Sequence, residues 1–344
     1  MIDKAKGLGA DQVFLDIEDA VAPLAKPEAR KNIVSALNEG GWGDTIRTVR
    51  VNDWTTQWTY SDVVEVVEGA GANLDAIMLP KVQTPEQVVA LDMLLTQIEK
   101  STGLEVGRIG IEAQIENALG LTNVNAIAAA SQRVETIIFG PADFMASINM
   151  KSLVVGEQPP GYDVGDAYHH ILMSILMAAR AYDKQAIDGP YLQIKDIEGF
   201  RRVAGRSAAL GFDGKWVLHP GELVPANEVY SPRQSDYDHA REHPGRLRLL
   251  HVRGWWQERC GHARRREDRR GLAQDGHGDL GQGPGCSHDP PEEVGEAWGL
   301  TRDVHGVLLR RTHRFELFEE PIRWFQGNKR RVNCLRSQFI WAPA

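Results

Sequence analysis

The chain has 344 residues, of which 42% are hydrophobic, and this is enough for a sizeable core in one large α/β domain or two ordinary ones. The formal net charge of −8 argues against a nucleic-acid partner. No run of about 18 apolar residues predicts a membrane span, and the first residues lack the apolar stretch of a secretory signal. We therefore expect a cytoplasmic protein that binds neither nucleic acid nor a membrane.

Up to about residue 242, short apolar runs alternate with longer helical patterns. The predicted strands are residues 12–18, 46–52, 76–82, 109–116, 136–144, 185–190 and 214–220. Several of the helical segments between them begin near Pro or Asp and end in Gly, as helix ends prefer. Seven such repeats predict a parallel sheet with helical crossovers, in an α/β barrel or a doubly wound sheet. The absence of GxGxxG after the first strand disfavours dinucleotide binding.

Polar side chains collect where each predicted strand ends. The residues at these ends are Asp16, Glu18, Asp19, Arg50, Asn52, Lys81, Glu116, Asp143, Asp188 and His219. In barrels and doubly wound sheets alike, the carboxyl ends of parallel strands line the active site. The sequence therefore predicts a functional site at this rim.

Glu116 and Asp143 end two consecutive predicted strands, so we expect them to project side by side. Two carboxylates with open positions around them suit Mg²⁺, which keeps several waters and takes substrate oxygens as further ligands. The alternative is that each acid caps the helix after its strand. Glu112 points to the same side as Glu116 but lies deeper, and we expect it to be structural, either paired with Lys or Arg inside the sheet or placed in a bulge.

Arg50 suits a substrate carboxylate or phosphate, because its planar fork binds such groups at two points. The alternative is an ion pair with Asp16 or Glu18, and both roles are compatible. For Lys81 we favour ion pairing with the same acidic rim over catalysis. For His219 we favour a hydrogen-bonded strand end over a general base.

Beyond residue 242 the composition changes. Residues 1–242 carry a net charge of −13 and residues 243–344 one of +5, and all three cysteines lie in the second part without CxxC spacing. Residues 243–299 show no sustained period of two or 3.6 residues and contain arginine clusters with Gly and Pro between them. We therefore predict a domain over residues 1–242 and a tail over 243–344. The tail is either disordered or translated in a shifted reading frame, and we favour the shifted frame.

A co-linear series of motifs carries a family resemblance over residues 10–235. The motifs are VFLDIEDAV, KPEAR, TVRVN, IMLPKV, IEAQIENALGL, FGPADF, AIDGPY and GKWVLHPGELVPANEVYSP. This series resembles the HpcH/HpaI aldolase and citrate lyase β-subunit superfamily. Within it, residues 143–156 and 169–200 look most like the malyl-CoA and β-methylmalyl-CoA lyases.

The resemblance implies a TIM (β/α)8 barrel that depends on Mg²⁺ and forms a homo-oligomer, a trimer or hexamer. It implies a lyase that cleaves or forms a carbon–carbon bond in a 3-hydroxyacyl-CoA thioester such as malyl-CoA, β-methylmalyl-CoA or citramalyl-CoA. The partners of that bond are an acyl-CoA and a small 2-oxo acid, glyoxylate or pyruvate.

The resemblance also implies roles for single residues. The metal-binding glutamate and aspartate of the family fall on Glu116 and Asp143, and the arginine that binds the substrate carboxylate falls on Arg50. The acidic motif of the family lies at the same mouth, together with the lysine of IMLPKV, and we expect these groups to organise substrate binding. In this sequence they are Asp16, Glu18, Asp19 and Lys81.

The chain departs from the family pattern at both ends. Family members begin with a strand of the type RSxLxVPGxNPR, which helps to bind CoA, whereas this chain opens at MIDKAKGLGADQ. We therefore expect the first barrel strand to be missing. Family members also carry a C-terminal lid helix with a catalytic aspartate in a MID-type motif. GC-rich codons can be chosen for residues 243–276 such that a shift of one nucleotide gives a string containing GDERIDEAS, a relative of that motif, where the sequence has RRREDRRGL. The resemblance therefore implies impaired activity, because the lid aspartate is not encoded.

Two other functions fit the same sequence. One is a metal-dependent 2-keto acid aldolase that acts without CoA. The other is a subunit like that of citrate lyase, which works with an acyl carrier protein.

Overall fold

The computed structural model describes residues 2–231 in full and the backbone of residues 337–343. The described residues all belong to one compact unit. Its eight strands are β1 Gln12–Asp16, β2 Ile46–Arg50, β3 Ala76–Leu79, β4 Gly110–Ile115, β5 Val134–Phe139, β6 Gln185–Asp188, β7 Gly214–Val217 and β8 Ser337–Pro343. All seven strands predicted before residue 242 are present. Each of them ends earlier than predicted, at the polar residue of the rim or a few residues before it.

Helices follow most of the strands, as the alternating pattern predicts. They are α1 Ile2–Ala5, α2 Lys26–Glu39, α3 Thr59–Ala70, α4 Pro85–Thr102, α5 Ala118–Thr122, α6 Val124–Ala129, α7 Pro141–Ser147, α8 His169–Ala181, α9 Ile197–Leu210 and α10 Leu223–Tyr230. Helix α4 shows why these bounds arise, because Thr84 and Gln87 form a capping box at its start. The same helix ends at Gly103, whose left-handed backbone (φ 74°) terminates the last turn.

The strands close into a barrel in which every neighbouring pair is parallel. This confirms the α/β barrel and excludes the doubly wound sheet. Residues 2–11 hold helix α1 and no strand, as the resemblance implied. The position between β7 and β1 is taken by β8, which pairs with both.

Strand β8 lies within the segment predicted to be a tail, and this part of the prediction differs from the structure. The run SQFIWAP includes residues that favour strands. An open barrel would leave the facing backbone groups of β1 and β7 unpaired, and β8 satisfies them. Residues 243–336 lie outside the described residues, so the shifted frame and the boundary at residue 242 stay predictions.

Alternate side chains of the strands point into the barrel, because side chains of a strand alternate between its two faces. Phe14, Met78, Ile138, Ile187 and Trp216 form a separate buried cluster that fills the middle of the barrel. The larger hydrophobic core lies between the strands and the surrounding helices. Buried polar residues lie on both sides of this apolar cluster along the strands. The barrel interior therefore has a polar layer at each end.

Candidate active site

Arg50 is the last residue of β2 and is buried at the carboxyl-end rim. Its Nε and Nη2 donate to the two carboxylate oxygens of Asp16 at 2.8 and 2.6 Å, and Nη1 lies 3.0 Å from Oε2 of Glu18. The guanidinium also stacks against the interior rings of Phe14 and Trp216, at 5.8 and 5.2 Å from the ring centroids. The predicted ion pair is therefore present, and the two-point fork is directed at Asp16.

Asp16 in turn orders the loop that follows β1. Its carboxylate accepts hydrogen bonds from the backbone N–H groups of Glu18 and Ala20, at 2.9 and 3.3 Å. Burial raises the pKa of Glu18, and the neighbouring charges of Arg50 and Lys81 oppose that rise. Glu18 Oε2 is buried and has the ion pair with Arg50 Nη1, at 3.0 Å, as its partner.

Glu116 follows β4 directly and is 3% exposed. Its Oε1 accepts the backbone N–H of Lys81 at 3.1 Å. The side chain lies against Gly140, where an added Cβ would collide with Cγ of Glu116. Glycine is therefore required at residue 140 for space and not for backbone freedom, since other residues can also adopt its φ of −105°. The missing side chain at residue 140 thus leaves room for the carboxylate of Glu116.

Asp143 lies in the first turn of α7, whereas the sequence predicted it at the end of a strand. Strand β5 ends at Phe139, and Pro141 starts the helix because its fixed φ suits the first helical position. The structure nevertheless brings the two acids together, because Lys81 contacts both: its backbone N–H donates to Oε1 of Glu116, and its Nζ lies 3.7 Å from Oδ2 of Asp143. Burial raises the pKa of Glu116 well above its usual value, and the charges of Glu18 and Asp143 add to the rise.

A divalent cation fits this pair of carboxylates. Two acids in contact repel each other unless they share a proton or a cation. Within residues 2–231 there is no group of three or more His, Cys, Asp or Glu side chains arranged to hold a metal. A pair suits Mg²⁺, which binds one or two carboxylates and completes its coordination with water and substrate. Glu116 and Asp143 are thus the residues that could hold it.

Lys81 connects the two halves of the acidic rim. Its Nζ lies 2.6 Å from Oε1 of Glu18 and 3.7 Å from Oδ2 of both Asp19 and Asp143. Burial alone would lower the pKa of Lys81, but the hydrogen bond to Glu18 and the surrounding acids outweigh it and raise the pKa. The predicted ion-pairing role is therefore present.

Comparison with known proteins identifies the family. Residues 1–220 match the HpcH/HpaI aldolase/citrate lyase family. An L-malyl-CoA/β-methylmalyl-CoA lyase of Cereibacter sphaeroides is 38% identical over 262 residues, which cover 74% of this chain and 82% of the relative. The chain belongs to the HpcH/HpaI aldolase/citrate lyase family.

Two further proteins are also similar to this chain. The citrate lyase subunit β of Escherichia coli K12 is 34% identical over 232 residues, covering 67% of this chain and 73% of that protein. The structure of CitE from Mycobacterium tuberculosis in complex with magnesium, acetoacetate and coenzyme A is 28% identical. It covers 72% of this chain and 82% of its own, with a TM-score of 0.56. This family member is accordingly an enzyme of the carbon–carbon lyase or aldolase type.

Two residues of the predicted rim have structural partners. Asp188 accepts hydrogen bonds from Lys215 Nζ at 2.7 Å and from Ser207 Oγ at 2.8 Å, and it forms a buried ion pair with Lys215. His219 Nδ1 accepts the backbone N–H of Gly221 at 3.0 Å, which closes the turn after β7. The hydrogen-bonded strand end favoured for His219 is therefore confirmed.

Lys26 is a residue of this site that sequence reasoning missed. It is 3% exposed, and its Nζ donates to the carbonyl oxygens of Ile17 and Glu18 at 2.8 and 2.9 Å and to Oδ1 of Asn52 at 2.8 Å. The ammonium thus holds the loop that carries the acids after β1. One signal was available, because lysine in the first turn of a helix opposes the helix dipole and so indicates another role.

No helix in the described part of the chain is both long enough and apolar enough for a bilayer crossing.

Proposed function

We propose that this chain is a Mg²⁺-dependent lyase that cleaves or forms a carbon–carbon bond in a 3-hydroxyacyl-CoA thioester such as malyl-CoA, β-methylmalyl-CoA or citramalyl-CoA. The observation that carries the proposal is the pair of acids Glu116 and Asp143 at the mouth of the barrel, both of which Lys81 contacts. The named activity of the malyl-CoA/β-methylmalyl-CoA lyase relative supports the substrate class. The magnesium and coenzyme A bound by the M. tuberculosis CitE support the cofactor and the thioester.

Glu116 and Asp143 would hold Mg²⁺ through their carboxylates. When bound, the metal supplies a Lewis acid that polarises a carbonyl group and offsets negative charge developing on oxygen. Glu116 is held in place before any ligand binds, because it is packed against Gly140 and accepts the backbone N–H of Lys81. Such preorganisation lowers the cost of binding the metal in a productive position.

Arg50 would bind the carboxylate of the 2-oxo acid. Its orientation is set by Asp16 and Glu18, and its flat face is supported by Trp216. An incoming carboxylate would share the guanidinium with Glu18, whose Oε2 lies 3.0 Å from Nη1. Asp19 and Lys81 lie at the more exposed side of the same mouth and would contact the rest of the substrate. The trimer or hexamer implied by the family resemblance remains a prediction.

Metal binding tests the site directly. We expect isothermal titration of the full chain with Mg²⁺ to show one site per chain. We expect Glu116→Gln and Asp143→Asn each to weaken binding by about 100-fold or more, because each removes an anionic ligand. The matched control is Glu68→Gln, an exposed glutamate of α3. Unchanged Mg²⁺ affinity in either site variant would overturn the metal assignment.

Turnover tests the substrate class. The full chain would be incubated with malyl-CoA, β-methylmalyl-CoA and citramalyl-CoA, and separately with the corresponding 3-hydroxy acids lacking CoA, while release of glyoxylate or pyruvate is followed. We expect Mg²⁺-dependent release from at least one thioester and not from the acids, at a low rate because the lid aspartate of the family is not encoded. Release from the acids alone would support the aldolase without CoA. Mg²⁺ binding without release from any thioester would overturn the proposed activity and leave the metal assignment intact.

A further inference from the structure

Lys81 combines an unusual backbone conformation with a central position among acids. Its φ is 52°, and the other non-glycine residues with positive φ in the described part of the chain are Asn149 and Asp183. Asn and Asp tolerate this left-handed region better than lysine does, and the conformation costs lysine about 1 kcal/mol. Glycine would adopt it without strain.

The strained backbone serves two contacts at once. The N–H of Lys81 donates to Oε1 of Glu116, one member of the proposed metal pair. The side chain meanwhile reaches Glu18 after β1 and lies 3.7 Å from Asp143, the other member of that pair. A residue that touches both carboxylates of the pair, one through its backbone and the other through its charge, is placed to control them.

The ion pairs of Lys81 are unequal in strength. The ammonium makes a hydrogen bond of 2.6 Å with Glu18, which is 4% exposed, and looser ion pairs with Asp19 and Asp143, whose side chains are 65% and 46% exposed. The tight contact fixes the ammonium on the side of Glu18. The loose contact with Asp143 is the one that a competing cation can replace.

We propose that Lys81 is a positioning residue that sets the affinity of the metal site, because its ammonium is a resident counter-cation of Asp143 that competes with the divalent ion. The inference rests on the proposed function, since it takes Glu116 and Asp143 as the metal pair. A dication bound to this pair lies beside the fixed charge of Lys81 and is repelled by it. The ammonium therefore keeps metal affinity lower than the two carboxylates alone would give. An anionic substrate at the mouth relieves that repulsion, so metal and substrate bind cooperatively.

The test is a Mg²⁺ titration of the full chain and of three variants by calorimetry, with and without a substrate carboxylate such as glyoxylate. We expect Lys81→Gln to bind Mg²⁺ roughly tenfold more tightly than the parent in the absence of glyoxylate, from the size of charge interactions at such distances. Lys81→Arg keeps the charge and should restore an affinity close to that of the parent. Lys81→Gly removes the charge and the backbone strain together, and it should bind Mg²⁺ as Lys81→Gln does.

The cooperativity gives a second readout that a purely structural role would not change. Glyoxylate should tighten Mg²⁺ binding by a larger factor in the parent than in Lys81→Gln, because the parent has a repulsion to relieve. The matched control is Lys100→Gln, an exposed lysine near the end of α4, which should leave both affinities unchanged.

The outcomes separate the inference from the proposed function. If the parent binds Mg²⁺ and Lys81→Gln binds it equally well or more weakly, competition by Lys81 is refuted while the metal pair stands. If only Lys81→Gln binds Mg²⁺, competition is supported in its strongest form. If neither protein binds Mg²⁺, the metal pair itself is wrong, and the inference falls with it.

Discussion

Glu112 offers the sharpest test of how this barrel is stabilised, because it is a carboxyl group buried inside the barrel. It lies on β4 near the amino end of the barrel and is 2% exposed. Gln12 Nε2 donates to both of its oxygens, at 2.8 and 3.0 Å, and also contacts Oγ1 of Thr48 at 2.9 Å. Burial raises the pKa of Glu112 to about 8, in spite of these hydrogen bonds and with a further contribution from the charge of Glu135.

The raised pKa makes the free energy of unfolding depend on pH. Between the ordinary value of 4.5 and about 8, Glu112 holds its proton in the folded chain and loses it in the unfolded chain. The unfolded state therefore binds fewer protons, and stability falls as pH rises through this window. The stabilising contribution is complete below pH 4.5 and is lost by about pH 8. The total loss is roughly 5 kcal/mol.

Replacing Glu112 with glutamine removes this dependence. The amide has nearly the shape of the protonated carboxyl and can still accept the hydrogen bond from Gln12. We expect Glu112→Gln and the parent to have similar stability at pH 4.5, and the variant to become more stable as pH rises. At pH 9 the difference should approach 5 kcal/mol, or on the order of 10 °C in Tm.

The assay is thermal unfolding followed by circular dichroism from pH 4.5 to pH 9, with Glu68→Gln as the matched control. The difference between variant and parent cancels the titration of all other groups, including Glu116. A difference in Tm that does not grow with pH would refute the raised pKa of Glu112. A variant less stable than the parent at pH 9 would show that Glu112 is ionised and paired in the folded chain.

Two further substitutions test the rim. Arg50→Lys keeps the charge but loses the two-point contact with Asp16, so we expect kcat/KM to fall on the order of tenfold or more. Arg47→Lys is the matched control, because Arg47 lies in the same strand as Arg50 and makes a similar two-point contact with Asp75. Equal losses of kcat/KM in both variants would count against a substrate role for Arg50. Gly140→Ala should weaken Mg²⁺ binding at least several-fold, because its Cβ would displace Glu116. The matched control is Gly205→Ala in α9, which has open space around the added Cβ and should stabilise the helix by up to about 1 kcal/mol. Unaltered Mg²⁺ affinity in Gly140→Ala would contradict the packing of Glu116 against Gly140.

The rim of polar residues was predictable because it depends on local order along the chain. Apolar runs alternating with helical patterns indicate parallel strands, and the carboxyl ends of such strands meet at one rim. Glu116 and Asp143 were expected to lie side by side, and the structure places both against Lys81 although Asp143 is on α7. The prediction that Asp143 ends a strand was wrong because the boundary was misplaced: Pro141 begins a helix, although the apolar run around it is typical of a strand.

The partners of two buried polar groups, Glu112 and Lys26, could not be predicted from the sequence. Glu112 was expected to pair with Lys or Arg, or to lie in a bulge. The register between β4 and β5 does shift next to Glu112, but the groups that contact its carboxylate are Gln12 and Thr48. Gln12 is separated from Glu112 by 100 residues, and only closure of the barrel places one opposite the other. The role of Lys26 likewise could not be predicted, because only the folded chain places its ammonium at the carbonyl groups of the loop after β1.

By itself the sequence determined the number of strands before residue 242, their parallel arrangement and the rim on which the acids and Arg50 lie. These features follow from periodicity and chain direction, which are properties of neighbouring residues. The tertiary structure alone decided that β8 completes the barrel between β7 and β1, that Asp16 takes the fork of Arg50, and that Lys81 lies among four acids. Those outcomes depend on which distant segments meet, and a buried charge finds its partner only when the strands have closed around it.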